Sequence, residues 1–100
     1  MTKIKKYVDD IAEELDGAKH YIETALEYKA AGDATRYNTY KDMSVQELAH
    51  AMNLHRFAVE DIEKLKAVYP EIPSEMMDKW DKAHIDFVER TAWIKQMQAM

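Results

Sequence analysis

The segment "YKAAGDATRY", residues 28 to 37, contains the clearest helix boundary in the chain. Its centre, Gly32–Asp33, predicts that one helix ends at the glycine and that the aspartate caps the start of the next. Glycine readily adopts the left-handed conformation that closes many helices, and an aspartate carboxylate accepts hydrogen bonds from the first backbone N–H groups of a helix. Because the turn is short, we expect the two helices to be antiparallel neighbours.

A second boundary lies in "YPEIPSE", residues 69 to 75. Pro70 and Pro73 are expected to end the preceding helix, since proline lacks the N–H group that a position inside a helix donates. Ser74 is the expected N-cap of the following helix. The chain of 100 residues has only two glycines and two prolines, so long helices with few breaks are predicted. The result is one all-α, antiparallel three-helix domain over residues 1–100, with helices near 3–31, 34–69 and 74–98.

Apolar residues recur at steps of three and four, which is typical of helices that turn one face to a core. The stripe of the first helix consists of Ile4, Val8, Ile11, Leu15, Ala18, Ile22 and Ala25. The stripe of the second consists of Tyr40, Met43, Ala51, Leu54, Ala58, Ile62 and Leu65. The third helix contributes Met76, Trp80, Ala83, Phe87 and Ile94. These patterns predict a helical bundle.

Composition excludes several classes of function. The net charge of −5 argues against binding nucleic acid through its phosphates, which needs a clustered basic face. The chain has no cysteine, so disulfides and thiolate metal sites are excluded. No apolar run reaches the length of a membrane span, and the start "MTKIKKYVDD" has no apolar signal core. We therefore expect a cytoplasmic protein that binds neither membrane nor nucleic acid.

Ionisable groups lie within two of the apolar faces. In "ELAH", residues 47 to 50, Glu47 and His50 are one turn apart in the second helix, where both can be directed at one metal ion. Glu14 lies at the edge of the first stripe. An unpaired buried carboxylate costs several kcal/mol, whereas carboxylates and an imidazole that converge on a divalent cation avoid that cost. Glu14, Glu47 and His50 are thus candidate ligands of iron, manganese or zinc, and Tyr21 is a candidate hydrogen-bond donor to a ligand carboxylate.

Other interpretations of these residues stay open. An E-x-x-H pair arises by chance in many helical proteins, and Glu47 could instead pair with a lysine at the edge of the bundle. His55 projects about 80° from Glu47, which predicts a group at an interface or one that supports a ligand. His84 falls in the third stripe, where it could be an additional ligand or an ordinary packed histidine.

Taken together, the motifs resemble those of the ferritin-like superfamily, and of rubrerythrins in particular. In those proteins a ligand Glu is followed seven residues later by Tyr, as in "ELDGAKHY" from Glu14 to Tyr21, and a second helix carries E-x-x-H. This two-part match covers residues 7 to 65. The whole chain is also similar to short ferritin-like proteins of bacteriophages and prophages, which share an "HAMNLH"-like segment and a "K-x-H-I"-like stretch. The resemblance implies a bacterial host cytoplasm and favours iron or manganese over zinc.

The chain also departs from the family pattern. A full ferritin-like domain has four helices and two copies of each ligand element, whereas this chain has one copy of each. "DKAH", residues 81 to 84, is the nearest approach to a second E-x-x-H motif. A two-fold dimer would complete the site, because it would place Glu14, Glu47 and His50 of both chains around a shared pair of metal ions. We therefore expect a homodimer or a higher homo-oligomer.

Two functions follow from this sequence, and it does not decide whether the protein is an enzyme. The first is a phage-type interaction module that binds a host or virion protein, with a metal site shared at its dimer interface. The alternative is a di-iron or di-manganese carboxylate protein with ferroxidase, peroxidase or metal-storage activity. Seven methionines would suit an adaptable contact surface, but they are equally consistent with core packing.

Overall fold

A computed structural model of the chain describes residues 2–69 and 71–100. Over these residues the fold consists of three helices and no strand: α1 (Thr2–Ala30), α2 (Ala34–Val68) and α3 (Ser74–Gln98). The prediction of an all-α three-helix chain is confirmed, and the helix ends agree with the predicted ones to within one residue. Pro70, which was expected to help end the second helix, lies outside the described residues.

The turn between α1 and α2 has the predicted chemistry. Gly32 has a φ of 78°, the left-handed conformation that a glycine adopts without strain. Asp33 caps α2, because its Oδ1 atom accepts a hydrogen bond of 3.0 Å from the backbone N–H of Arg36. This bond, together with a second one from the Arg36 guanidinium, lowers the pKa of Asp33. Local sequence alone therefore sets where α1 ends and α2 begins.

The start of α3 differs from the prediction. Ser74 is the first residue of the helix, and Pro73 occupies the cap position with φ −52° and ψ 129°. The Pro73 carbonyl oxygen accepts hydrogen bonds from the N–H groups of Met76 and Met77, at 3.1 and 3.2 Å. The prediction that Ser74 is the N-cap was wrong, because the Pro73 carbonyl already accepts the first hydrogen bond of the helix, and no side chain caps this end.

The core lies along the line where the three helices meet. The α1 stripe is confirmed, since every predicted member except the half-buried Val8 is buried. The buried line of α2 is rotated from the predicted one: Ser44 and Leu48 are buried, whereas Tyr40 and Met43 are only half-buried. α2 packs mainly against α1 and only sparsely against α3, and Ser44 of the buried line also accepts a hydrogen bond from Gln98 of α3.

Ser44 connects all three helices. Its hydroxyl donates a hydrogen bond of 2.7 Å to the carbonyl oxygen of Ala18 in α1. The same Oγ atom accepts a bond of 2.9 Å from the side-chain amide of Gln98 in α3. A small side chain permits this close approach, and the two bonds satisfy a hydroxyl that is otherwise fully buried.

Pairs of contacts show the directions of the helices. The Tyr7 hydroxyl near the start of α1 donates a 2.8 Å hydrogen bond to Asp61 near the end of α2, and Tyr28 stacks on Tyr40 at the opposite end. α1 and α2 are therefore antiparallel. α3 runs antiparallel to α2 and therefore parallel to α1. Its Arg90 forms an ion pair with Asp16 of α1. No helix in the described part of the chain is long and apolar enough to cross a membrane.

Candidate metal centre

The structure brings together the three residues that the motifs singled out. Glu14 of α1 and Glu47 and His50 of α2 each offer a ligand atom, and these atoms all lie within 4.8 Å of one another. The His50 Nδ1 atom is 3.5 Å from Glu14 Oε2 and 4.0 Å from Glu47 Oε2. Two carboxylate oxygens and one imidazole nitrogen thus converge across the seam between α1 and α2.

Gly17 lies against this cluster. A Cβ atom at this position would lie 3.4 Å from the Oε2 atom of Glu47, which is an ordinary van der Waals contact. A glycine inside a helix costs about 1 kcal/mol relative to alanine. An interior helical glycine three residues after Glu14 was a signal in the sequence that the ligand motifs did not include.

The three side chains differ in exposure. The side chains of Glu14 and Glu47 are 27% and 30% exposed, whereas that of His50 is 59% exposed. The expectation that His50 lies among core residues was therefore wrong. The buried line of α2 passes through Leu48, and His50 projects about 160° from Leu48 around the helix. The cluster consequently has two half-buried carboxylates below an imidazole that faces solvent.

The Glu14 carboxylate is in an unfavourable position for an anion. Its Oε2 atom is buried and has no hydrogen-bond partner among the described residues. A proton shared with Glu47, then burial, then the charge of Glu47 raise the pKa of Glu14, and His50 only partly offsets them. Such an oxygen requires either a proton or a cation beside it. The cluster therefore has the electrostatic character of a cation site in its charged form.

The Tyr21 ring packs against other aromatic rings and does not have the predicted contact. Its ring centroid is 6.2 Å from that of Tyr40 and 5.8 Å from that of His20. Within residues 2–69 and 71–100, the structure shows no hydrogen bond from its hydroxyl to Glu14 or Glu47. In one chain, Tyr21 contributes to aromatic packing at the edge of the α1–α2 seam.

His55 of α2 and His84 of α3 contact each other on a different side of α2 from the carboxylate cluster. The His55 Nε2 atom is 2.8 Å from the His84 Nδ1 atom, and the His55 ring stacks on Phe87 with a centroid distance of 4.0 Å. His55 thus lies in the contact between α2 and α3. Neither histidine lies beside Glu14 or Glu47 within a single chain.

Comparison of the chain with models of protein families, with curated proteins and with solved structures finds no match in any of the three. The ferritin-like resemblance therefore rests on the motifs alone. The chemistry of the cluster can be argued directly: carboxylate and imidazole ligands suit divalent iron, manganese and zinc, and three protein ligands leave other coordination positions open.

Proposed function

We propose that this protein binds a divalent metal ion, iron or manganese, through Glu14, Glu47 and His50. The observation that carries the proposal is the buried oxygen Oε2 of Glu14, which has no hydrogen-bond partner in the described chain and faces a second carboxylate. A divalent cation would neutralise both carboxylates and supply the partner that this oxygen lacks.

The donor set favours particular metals. Two carboxylates with a single imidazole are oxygen-rich, and oxygen-rich sites suit manganese and iron(II) better than thiolate sites do. Zinc would also be accepted by these ligands, so it belongs in the same binding experiment. Metal ligands must be deprotonated, so binding would displace the proton that Glu14 takes up readily.

A second copy of the chain would complete the site. One chain supplies three ligands, and the exposed His50 leaves the cluster open to solvent. Phe57 lies two turns further along the same face of α2 and is 44% exposed, so the cluster has an apolar neighbour that an interface could bury. A two-fold axis over this face would bring two sets of ligands together, as in the two-metal carboxylate sites that the motifs resemble.

The residues of the chain have distinct roles in this proposal. Glu14 and Glu47 neutralise the charge of the metal ion at the contact between α1 and α2. His50 binds the ion from the solvent side, where it enters. A pair of iron ions held this way would supply one-electron chemistry toward oxygen or peroxide. Ferroxidase and peroxidase assays thus follow once binding has been shown.

The test is metal binding by three matched proteins. We would titrate iron(II) and manganese(II), without oxygen, into chelator-treated wild type, Glu47→Gln and Glu60→Gln. Glu60 is the matched control, because it is an exposed carboxylate of α2 outside the cluster. We expect one ion per chain in wild type and Glu60→Gln, and at least a tenfold weaker affinity in Glu47→Gln. The solution mass with and without metal shows whether the ion is shared by a dimer.

Two results would refute the proposal. The first is a wild-type protein that binds neither ion to saturation. The second is an equal loss of affinity in the two variants, which would mean that binding reflects overall charge and not this cluster. A monomer that binds one ion would retain the metal site and reject only the shared, two-metal arrangement.

The interaction module remains a second candidate because of one observation. Val45, Met52 and Val59 of α2 are all exposed and recur every seven residues, so they form an apolar line on one helix face. Such a line is typical of a surface that contacts another protein. A Met52→Lys variant separates the possibilities: a reduced solution mass assigns the line to self-association, and an unchanged mass leaves it for a host or virion protein.

A further inference from the structure

A pair of imidazoles joins α2 to α3 on a different side of α2 from Glu47. The Nε2 atom of His55 and the Nδ1 atom of His84 are 2.8 Å apart, and no carboxylate completes a three-ligand group with them in the described residues. The two nitrogens come from separate helices and face each other. In the structure they form a hydrogen bond. A metal ion bound by both nitrogens, as a bidentate pair, would replace that bond.

One of the two rings is held rigidly. The His55 ring lies nearly parallel to that of Phe87, with a centroid distance of 4.0 Å and an angle of 6°, and its centroid is 5.5 Å from that of the buried Trp80. His84 is exposed, so its side chain can adjust. A fixed ligand beside an adjustable one reduces the ordering cost of binding.

The separation of the nitrogens suits one metal ion. Imidazole nitrogens bind zinc at about 2.0–2.1 Å, which places two neighbouring ligands about 2.9 Å apart at a right angle and about 3.4 Å apart in a tetrahedron. The observed 2.8 Å is close to the lower value. The two nitrogens point at each other in the hydrogen bond, so metal binding requires the exposed His84 ring to turn until both electron pairs converge on the ion.

The surroundings of His55 disfavour its charged form. Burial, and then the nearby His84, lower the pKa of His55. A neutral imidazole has the free electron pair that a metal requires.

We propose that His55 and His84 form a second metal site, selective for zinc or copper, that clamps α3 onto α2. The site differs from the carboxylate cluster in chemistry, because imidazole-only ligands suit these softer ions. Water would fill the remaining positions, since the exposed His84 leaves the site open. α3 packs more extensively against α1 than against α2, so a clamp at this point reinforces the sparser of its two interfaces.

The experiment removes the carboxylate cluster first, so that the two sites are tested separately. In a Glu14→Gln/Glu47→Gln background we would titrate zinc chloride alone by calorimetry and follow thermal unfolding. We expect one zinc ion per chain and a higher melting temperature with zinc. Adding His84→Ala should weaken zinc binding at least tenfold. His20→Ala is the matched control, an exposed histidine of α1 outside the pair, and it should leave the affinity unchanged.

Copper(II) provides a spectroscopic readout of the ligands. Electron paramagnetic resonance of the same background with one equivalent of copper should show two coupled imidazole nitrogens, and only one after His84→Ala. His55→Phe keeps an aromatic ring against Phe87, so it tests the other ligand if His84→Ala disturbs the fold. Zinc binding that is absent, or that is unchanged by both substitutions, would overturn the proposal and leave the pair as a hydrogen bond only.

Discussion

The two sides of α2 each carry a histidine, and the two histidines have opposite surroundings. His50 is exposed and has two carboxylates beside it, whereas His55 is half-buried against the rings of Phe87 and Trp80. The two positions are five residues apart, so they project about 140° from each other. Neighbouring side chains, and not residue type, therefore decide the chemistry of each histidine. His50 lies over two carboxylates, and His55 packs against aromatic rings in the contact between α2 and α3.

The two sides also differ in what they contribute to stability. On the carboxylate side, a buried oxygen of Glu14 has no hydrogen-bond partner among residues 2–69 and 71–100 and the Glu14 pKa is raised, so metal-free protein has a local penalty there. On the aromatic side, stacked rings bury apolar area without charge. The predictions below therefore have opposite signs on the two sides, and all refer to protein stripped of metal.

The largest effect is expected from Trp80→Ala on the aromatic side. Trp80 is buried, and removing a buried tryptophan side chain costs about 3–5 kcal/mol. Urea denaturation would measure the loss, and hydrogen exchange should show that the amides of α3 lose protection before those of α1. Trp93→Ala is the matched control, since Trp93 is exposed in the same helix and should change stability by less than about 1 kcal/mol. Equal losses in the two variants would show that Trp80 does not hold α3.

The opposite sign is expected from Glu14→Gln on the carboxylate side. A neutral amide there can donate to Glu47 and removes an unpartnered charge, so the free energy of unfolding at neutral pH should rise by about 1 kcal/mol. Because the folded-state pKa of Glu14 is raised above 4.5, the native protein binds a proton first, and wild-type stability at this site increases as the pH falls toward 4.5.

The gain from Glu14→Gln should therefore shrink as the pH is lowered through that window. Denaturation of both proteins at several pH values measures it. Glu13→Gln, an exposed neighbour, should show no such dependence. A Glu14→Gln protein less stable than wild type at neutral pH would mean that the carboxylate is stabilised by contacts other than those described.

A smaller gain is expected from Gly17→Ala beside the same cluster. Replacing a helical glycine with alanine stabilises a helix by about 0.5–1 kcal/mol, and the new methyl group would make ordinary contact, 3.4 Å from Glu47 Oε2. Gly32→Ala is the contrasting control, because its φ of 78° is strained for alanine and should cost about 1 kcal/mol. Thermal unfolding would measure both, and a loss from Gly17→Ala would show that Glu47 cannot yield to the methyl group.

The smallest effect is a pH dependence from His55. Its folded-state pKa is lowered below 6.5, so the unfolded chain binds a proton first. The stability from neutral His55 is present above pH 6.5 and is lost as the pH falls through the lower folded-state value. His55→Phe keeps the ring packing and should remove this loss, which denaturation at pH 7.5 and pH 5.5 would measure against His20→Phe. An unchanged difference between the two pH values would place the titration elsewhere.

Local signals in the sequence were sufficient for much of the fold. Gly32 and Asp33 determine a helix end and a cap through their own backbone and side-chain chemistry, so that turn was predictable. The α1 stripe was predictable too, because a helix with one buried side shows it as a periodic pattern. The cap at Pro73 was missed because serine is the preferred cap residue and proline the preferred first helical residue, whereas the structure has them in the opposite order.

The candidate site was predictable in its members but not in its burial. Glu47 and His50 are one turn apart and Glu14 lies on the facing edge of the neighbouring helix, so helical geometry alone brings them close once α1 and α2 pair. The exposure of His50 and the contact between Gly17 and Glu47 depend on the exact rotation of α2. That rotation is set by how α2 packs on the rest of the bundle, chiefly on α1, and the periodicity of α2 alone does not give it.

The three helices, the turn at Gly32–Asp33 and the ligand types available on each helix follow from the chain's own periodicity and local hydrogen bonding, so the amino-acid order is enough to predict them. Three other features required the packed helices: the bonds of Ser44 to α1 and α3, the Glu14 oxygen without a hydrogen-bond partner in the described residues, and the contact of His55 with His84. Each of these depends on how far and at what angle one helix packs on another, which is set by the whole core and not by any one segment.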